Sequence, residues 1–187
     1  EWEGTFNAVP DLIAILDDKH RIVKINKPMA EKLGVSIEEA TGLTCYNHVH
    51  GTDAPPENCP HSLLLKDGKE HATEVYEQRL GGDFLVTVSP LPDAKGELTK
   101  SVHVARDITN RKKAEEALQA SEKKFRAIFE QAAVGVTLAS SNTGQFFNVN
   151  EKFCKIVGYF KDELLSSNFQ KITHLDDLQT DLDGFRL

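Results

Sequence analysis

The chain is short of positive charge. Its 22 lysines and arginines face 29 acids, a formal net charge of −7. A surface of that sign is poorly suited to phosphate backbones, so no nucleic-acid partner is expected. Long apolar runs are also missing. None approaches the roughly 20 residues of a bilayer-spanning helix, so no membrane segment is expected. Cysteine is scarce: Cys45, Cys59 and Cys154 are too few for a small secreted disulfide scaffold. Their odd number implies a free thiol and suggests a reducing, cytoplasmic setting. No basic-then-apolar leader follows Glu1, and the chain reads as a portion of a longer protein with no visible targeting segment. There is no P-loop or Gly-rich phosphate cradle, and Gly81-Gly82 reads as a hairpin turn. No Ser or Cys nucleophile can be paired with a base from spacing alone. His103 falls in a strand pattern, away from any helix with an adjacent acid, and is not expected to accept phosphate. The expectation is a non-catalytic stretch of chain.

What is present is a globular balance, 40% hydrophobic and 27% charged. At 187 residues the chain is long for one minimal domain and short for two complete ones. It also repeats itself. Ile22-Val23-Lys24-Ile25-Asn26 matches Phe146-Phe147-Asn148-Val149-Asn150 at an offset of 124, and Gly34 matches Gly158. Ile37-Glu38-Glu39 matches Lys161-Asp162-Glu163, and His50 and Asp53 fall on His174 and Asp177. That period exceeds those of solenoid repeats, so these are two copies of a domain. Counterparts of residues 64–107 are absent from the second copy. Those residues read as strands, and half a sheet exposes unpaired edges. The second copy is therefore expected to be poorly ordered, exchanged with a neighbour, or cut short.

Within copy one, Leu12 to Leu16 and Arg21 to Ile25 read as a hairpin across a polar turn. Asn26 is a good N-cap, with Pro28 in the first turn, and Gly34 stops that helix. Ser36-Ile37-Glu38-Glu39 is a capping-box pattern. Residues 45–60 read as loop, and Pro60 opens a helix closed at Gly68. Three strands follow, at 71–80, 84–89 and 101–108. The fold class is α+β: a five-stranded antiparallel sheet with short helices on one face, then a linker helix, then a partial second copy. The domains are 1–109, 110–131 and 132–187.

The linker carries a seam. Ala114, Leu118, Ser121, Phe125, Ile128 and Ala132 are spaced 4, 3, 4, 3, 4, a period of 3.5. Two readings stand: an amphipathic helix packed on its own domain, or a two-chain coiled coil joining the copies in a homodimer. The small residues at 114, 121 and 132 make the seam weak.

These parts together resemble tandem PAS domains, the sensory modules of signalling proteins such as sensor histidine kinases of two-component systems and cyclic-dinucleotide enzymes. The resemblance rests on Phe6 to Leu16 followed by Ile25-Asn26, on Gly34-Val35-Ser36-Ile37-Glu38-Glu39-Ala40-Thr41-Gly42, and on Val104-Ala105-Arg106-Asp107-Ile108-Thr109-Asn110-Arg111. It covers nearly all of copy one and the first half of copy two. It implies a five-stranded sheet whose concave face, with the short helices, can enclose a ligand. It implies an Asp-Ile-Thr strand end leading into a signalling helix, and an output domain in the same parent chain. It names no ligand. On this reading Ile15, Ile25, Met29, Leu33, Leu64 and Val86 are the candidate pocket residues, with ordinary core as the alternative. No Arg or Lys is placed to neutralise an organic acid.

One segment departs from generic PAS sequence: Cys45 to His61 holds two cysteines and three histidines. Thiolate and imidazole suit zinc, iron or haem. There is, however, no Cys-x-x-Cys spacing and no haem-attachment motif. His50 has a counterpart, His174, in a copy that lacks these cysteines, so His50 is expected to make a hydrogen bond that shapes the fold. Cys45, His48, Cys59 and His61 remain as the candidate metal or redox cluster. Buried structural thiols, a reversible Cys45–Cys59 disulfide worth roughly 3 kcal/mol, and a metal or haem site all stay open. Cys154, beside Phe153, is expected in the core.

The functional expectation is a sensory and relay module that binds a small ligand or reads redox state and signals through the linker helix. A constitutive dimerisation scaffold and a metal- or haem-binding redox protein are the alternatives.

Overall fold

The computed structural model describes residues 2–178. The chain divides into two units between Glu115 and Glu116.

In the first unit, α1 (Trp2–Ala8) precedes β1 (Leu12–Asp17) and β2 (Ile22–Ile25). Helices α2 (Lys27–Leu33) and α3 (Ile37–Ala40), a π-helical turn (Tyr46–His50) and α4 (Pro60–Asp67) follow. Strands β3 (His71–Glu77), β4 (Gly82–Pro92) and β5 (Leu98–Asp107) complete it. The sheet order is β2-β1-β5-β4-β3, antiparallel at every pairing. Alternation along each strand sends every second side chain to the helical face. Leu12, Ala14 and Leu16 from β1 thus share that face with Phe84 and Val86 from β4 and Ala105 from β5.

Local chemistry sets the joints. Asn26 is fully buried and caps α2: its Oδ1 accepts from Met29 N at 3.1 Å and from Ile13 N at 3.0 Å. Its Nδ2 donates to the carbonyls of Asp11, Phe6 and Val9 at 2.8, 3.3 and 3.3 Å. One amide therefore ties the segment after α1, β1 and α2 together. Gly34 ends α2 at φ 70°, a left-handed conformation that costs glycine nothing. Ser36 and Glu39 form the reciprocal capping box of α3. The core runs from Leu12 through Ile22, Ile25, Met29 and Ala40 to Leu80 and Phe84. Fully burying Ile25 or Phe84 contributes about 1.5–3 kcal/mol each.

The linker helix is α5 (Thr109–Gln131). Its start is stapled to the β3–β4 hairpin. Thr109 Oγ1 accepts from Asp83 N at 2.9 Å, and Lys112 Nζ reaches Asp83 Oδ1 at 3.1 Å. A Cβ on residue 82 would meet Thr109 Oγ1 at 2.5 Å, so Gly82 permits this close approach. Farther along, Leu118, Phe125 and Ile128 of the heptad seam are exposed.

In the second unit, β6 (Thr137–Ala139) and β7 (Phe146–Val149) form a two-stranded antiparallel sheet. Helices α6 (Glu151–Val157) and α7 (Lys161–Leu165) and a 3-10 turn (Phe169–Lys171) follow. This part closes its own small core around Phe146, Val149, Leu164 and Phe169, with Cys154 half-buried against it. Over its described residues this part gathers four apolar side chains and the buried Asn150. The remainder of the 132–187 domain, residues 179–187, lies outside the described residues.

Candidate functional site

A cavity of about 470 Å³ lies between the sheet and the short helices of the first unit. Its wall is mainly apolar: Leu12, Ala14, Leu16, Ile22, Met29, Phe84, Val86 and Ala105 all face it. Cys45, Cys59, His50, Glu77 and His103 supply polar groups. The segment from Cys45 to Pro60 forms part of the wall. The start of that segment is pinned to the β1–β2 turn, where Cys45 N donates to His20 O at 2.9 Å. Its π-helical turn is fastened to β3 and the turn that follows. His50 Nδ1 pairs with Glu77 Oε2 at 2.5 Å, and Arg79 Nη1 donates to Asn47 O at 2.7 Å. Gly51 allows this: a side chain there would strike the Arg79 guanidinium at 2.7 Å.

Of the six pocket candidates, Met29 and Val86 line the cavity. Ile15 does not, because it is one residue out of phase with Ala14 and Leu16 and points to the other face of the sheet. Ile25 and Leu64 are fully buried but belong to ordinary core. Leu33 packs against the core from α2 without reaching the cavity.

Of the loop candidates, Cys45 and Cys59 are buried free thiols on the cavity wall. Burial, and then the neighbouring Cys59, push the Cys45 thiol up to about 12. It is therefore a thiol, not a thiolate, at neutral pH, and a poor nucleophile. His48 and His61 are placed elsewhere. His48 Nδ1 lies 3.2 Å from Thr44 O, and His61 has both ring nitrogens occupied. Among the described residues, no group of three or more His, Cys, Asp or Glu side chains is arranged to hold a metal ion. His50 makes the Glu77 bond already described, whereas its counterpart His174 is 75% exposed beside Asp176.

Three residues outside the sequence candidates complete the site: His20, Ser101 and His103, the last read from the sequence only as a strand residue that does not accept phosphate. His61 is fully buried, and its Nε2 faces Asp17 O at 3.0 Å. Its Nδ1 lies 2.9 Å from Ser101 Oγ and 3.2 Å from His103 Nε2. Ser101 Oγ is 3.1 Å from His103 Nε2. The His20 ring stands edge-on to His61 with centroids 4.5 Å apart, and its Nε2 reaches Ser62 Oγ at 3.1 Å. His20 takes φ 61°, a left-handed conformation unusual for a residue with a Cβ, at the turn that presents this ring. Burial and then the adjacent His20 hold His61 down at about 4. Burial, then His61, His20 and His50, hold His103 at about 3. All of this ring cluster is therefore neutral at neutral pH. Ser101 and His103 were foreshadowed only by their polarity at alternate positions of a central strand, where an inward polar group needs a partner.

Comparison with known proteins fits this architecture. Residues 10–110 match a family described as PAS domain, and residues 123–186 match another of the same description. The chain is 37% identical over 62 residues to the probable diguanylate cyclase DgcE of Escherichia coli strain K12, covering 33% of this chain and 6% of that protein. It is 26% identical over 183 residues to the uncharacterized protein y4lL of Sinorhizobium fredii, covering 95% of this chain and 22% of that one. The chain thus spans under a quarter of either relative. Among solved structures it is similar to an RNA-binding light-oxygen-voltage receptor, with TM-score 0.52 and 15% identity over 65% of this chain and 36% of that one, a likeness of fold alone. With a five-stranded antiparallel sheet under short helices, and the Asn-capped hairpin repeated in its second unit, the chain belongs to the PAS domain family, as two PAS signalling domains in tandem.

Proposed function

We propose that the first unit is the sensor of a signal-transduction protein, binding a small ligand in its cavity and passing occupancy through β5 to α5. The observation that carries this reading is the cavity itself. Its volume lies in the ligand range of about 300–1,000 Å³, and its apolar wall bears a few convergent polar groups. β5 supplies Ala105 and His103 to the wall and ends at Asp107, whose Oδ1 accepts from Thr109 N at 2.9 Å at the start of α5. A shift of β5 on binding therefore acts directly on the helix, and the ligand selects between two packings of that junction. The exposed Leu118, Phe125 and Ile128 fit a homodimer formed along α5, with an output domain of kinase or cyclase type in the same parent chain. A cytoplasmic setting suits the buried free thiols.

The test is thermal melting of the chain against a library of small apolar compounds, beside Ala105→Phe, which fills the cavity. A stabilising compound is expected for the wild type, with the response lost in the folded variant. A wild type that binds nothing leaves the scaffold reading in its place. The redox alternative has one observation in its favour, two thiols on one wall. Titration of Cys45 and Cys59 with a glutathione couple tests it, and the raised Cys45 thiol predicts slow oxidation. Metal analysis and an optical spectrum of anaerobically purified protein, beside Cys45→Ser/Cys59→Ser, test the metal or haem alternative.

A further inference from the structure

The hydrogen-bond chain behind the cavity fixes where its protons sit. A carbonyl only accepts, so the His61 nitrogen facing Asp17 O carries the hydrogen. Neutral His61 then offers a lone pair at Nδ1, which takes the Ser101 hydroxyl proton at 2.9 Å. The Ser101 oxygen is left to accept from His103 Nε2 at 3.1 Å. The opposite tautomer of His103 would set two lone pairs against each other across the 3.2 Å between His103 Nε2 and His61 Nδ1. His103 therefore holds its hydrogen on Nε2, and its Nδ1 is a bare acceptor.

That nitrogen has no hydrogen-bond partner among the described residues. Nor is it one of the buried side-chain atoms without a partner, which are Asn168 Oδ1 and Gln170 Oε1 alone. His103 lines the cavity, so this nitrogen is the group it has left over for a ligand. The rest of the wall narrows the chemistry. No lysine or arginine lines it, so a carboxylate or phosphate would enter without a counter-charge. The carboxylates there are committed, Glu77 to His50 and Glu74 to Arg111 and Lys112, or, like Glu57, exposed. A ligand cation would thus find no free carboxylate in the interior.

We propose that His103 Nδ1 is the specificity-determining acceptor of the cavity. Its ligand is then an uncharged, largely apolar molecule bearing an O–H or N–H donor, of the phenol or indole class. This rests on the reading that the cavity takes a small ligand. An acceptor in an apolar wall discriminates by what is left unpaired: an isostere without the donor strands Nδ1 in contact with carbon.

The experiment measures binding to the full chain by titration calorimetry or ligand-observed magnetic resonance, using matched probes: indole against indene, and 4-ethylphenol against 4-ethyltoluene. The wild type should bind the donor of each pair about tenfold more tightly. His103→Leu fills similar space and carries no hydrogen-bond acceptor. It should bind both members of a pair equally. His103→Asn returns an amide oxygen near the Nδ1 position and should restore part of the preference, which a merely structural role would not do. Equal binding of both members by the wild type, or a preference that survives in His103→Leu, overturns the assignment while leaving the cavity a ligand site. Failure of all four probes to bind the wild type overturns the cavity reading and this inference with it.

Discussion

The two units repeat one joint and differ in what is built on it. Asn26 and Asn150 are both fully buried and both cap the helix after a hairpin. Asn150 Oδ1 accepts from Val136 N and Phe153 N at 2.9 Å each, and its Nδ2 donates to Phe129 O and Val134 O at 2.9 and 3.0 Å. These are near-counterparts of Ile13, Met29, Phe6 and Asp11 in the first unit. Gly158 repeats the left-handed stop of Gly34 at φ 78°. Upon this frame the first unit sets a cavity, a strap from Cys45 to Pro60 and three neutral imidazoles. The described second unit has the frame and a small core, with its single histidine on the surface. The asparagine and the glycine recur in both units, whereas His20, at the turn of the first hairpin, falls on Gly144 in the second.

Removing the shared joint is expected to have the largest effect. Asn26→Ala strands buried backbone groups on both sides of the β1–β2 hairpin and should cost about 3 kcal/mol or more, read by urea denaturation. Asn150→Ala should cost less, since it loses four hydrogen bonds where Asn26 loses five. Hydrogen exchange resolved by segment should place each loss in its own unit. Equal losses throughout the chain would show that the units do not unfold separately.

Acid should then distinguish the units. His103 sits at about 3 when folded against 6.5 as an ordinary histidine. Below pH 6.5 the unfolded chain takes up a proton that the fold refuses. Stability is therefore full above 6.5 and falls as the pH drops towards 3. From pH 7 to pH 5 this amounts to about 2 kcal/mol for His103. His61 and His20, also lowered, act in the same direction. Protection against exchange, taken relative to the intrinsic rate at each pH, should fall in the first unit over this range while that of the second stays level. His103→Gln should flatten the first unit's response. A second unit that weakens equally would locate the acid sensitivity elsewhere.

The smallest effect lies at the paired helices α3 and α7. Ser36 makes both bonds of its capping box, but Phe160 in the matching place has no side-chain acceptor. Only its backbone N–H is held, by Glu163 Oε2 at 2.8 Å. Ser36→Ala should cost about 1 kcal/mol, and Phe160→Ser should gain about 0.5 kcal/mol, both by thermal melting. A neutral Phe160→Ser would mean that the exposed ring already contributes as much as a cap.

These joints were legible because each is local. A cap, a glycine stop and a proline at a helix start act within four residues. The Asn26 helix, the Ser36 box, the Pro60 helix and the three later strands were therefore readable from the sequence. The π-helical turn at Tyr46–His50 carries no such signal and reads as loop. The site was less legible because its bonds join distant segments. His61 finds Asp17 across 44 positions and Ser101 across 40. Strand phase decided the rest: Ile15 is as apolar as Ala14, and only the register shows which one sees the cavity.

Asp17 closes the β1–β2 turn with both ends of the residue. Its side chain accepts from Lys19 N and Arg21 N, and its carbonyl from His20 N as well as His61. That turn thus sets the polarity of a proton wire running from the hairpin, through a ring and a hydroxyl, to the wall of the cavity. A change of turn shape that swung the carbonyl away would free the wire to reverse. The cavity would then present a donor in place of an acceptor, and would recognise a carbonyl compound instead of an alcohol, with no residue of its wall replaced.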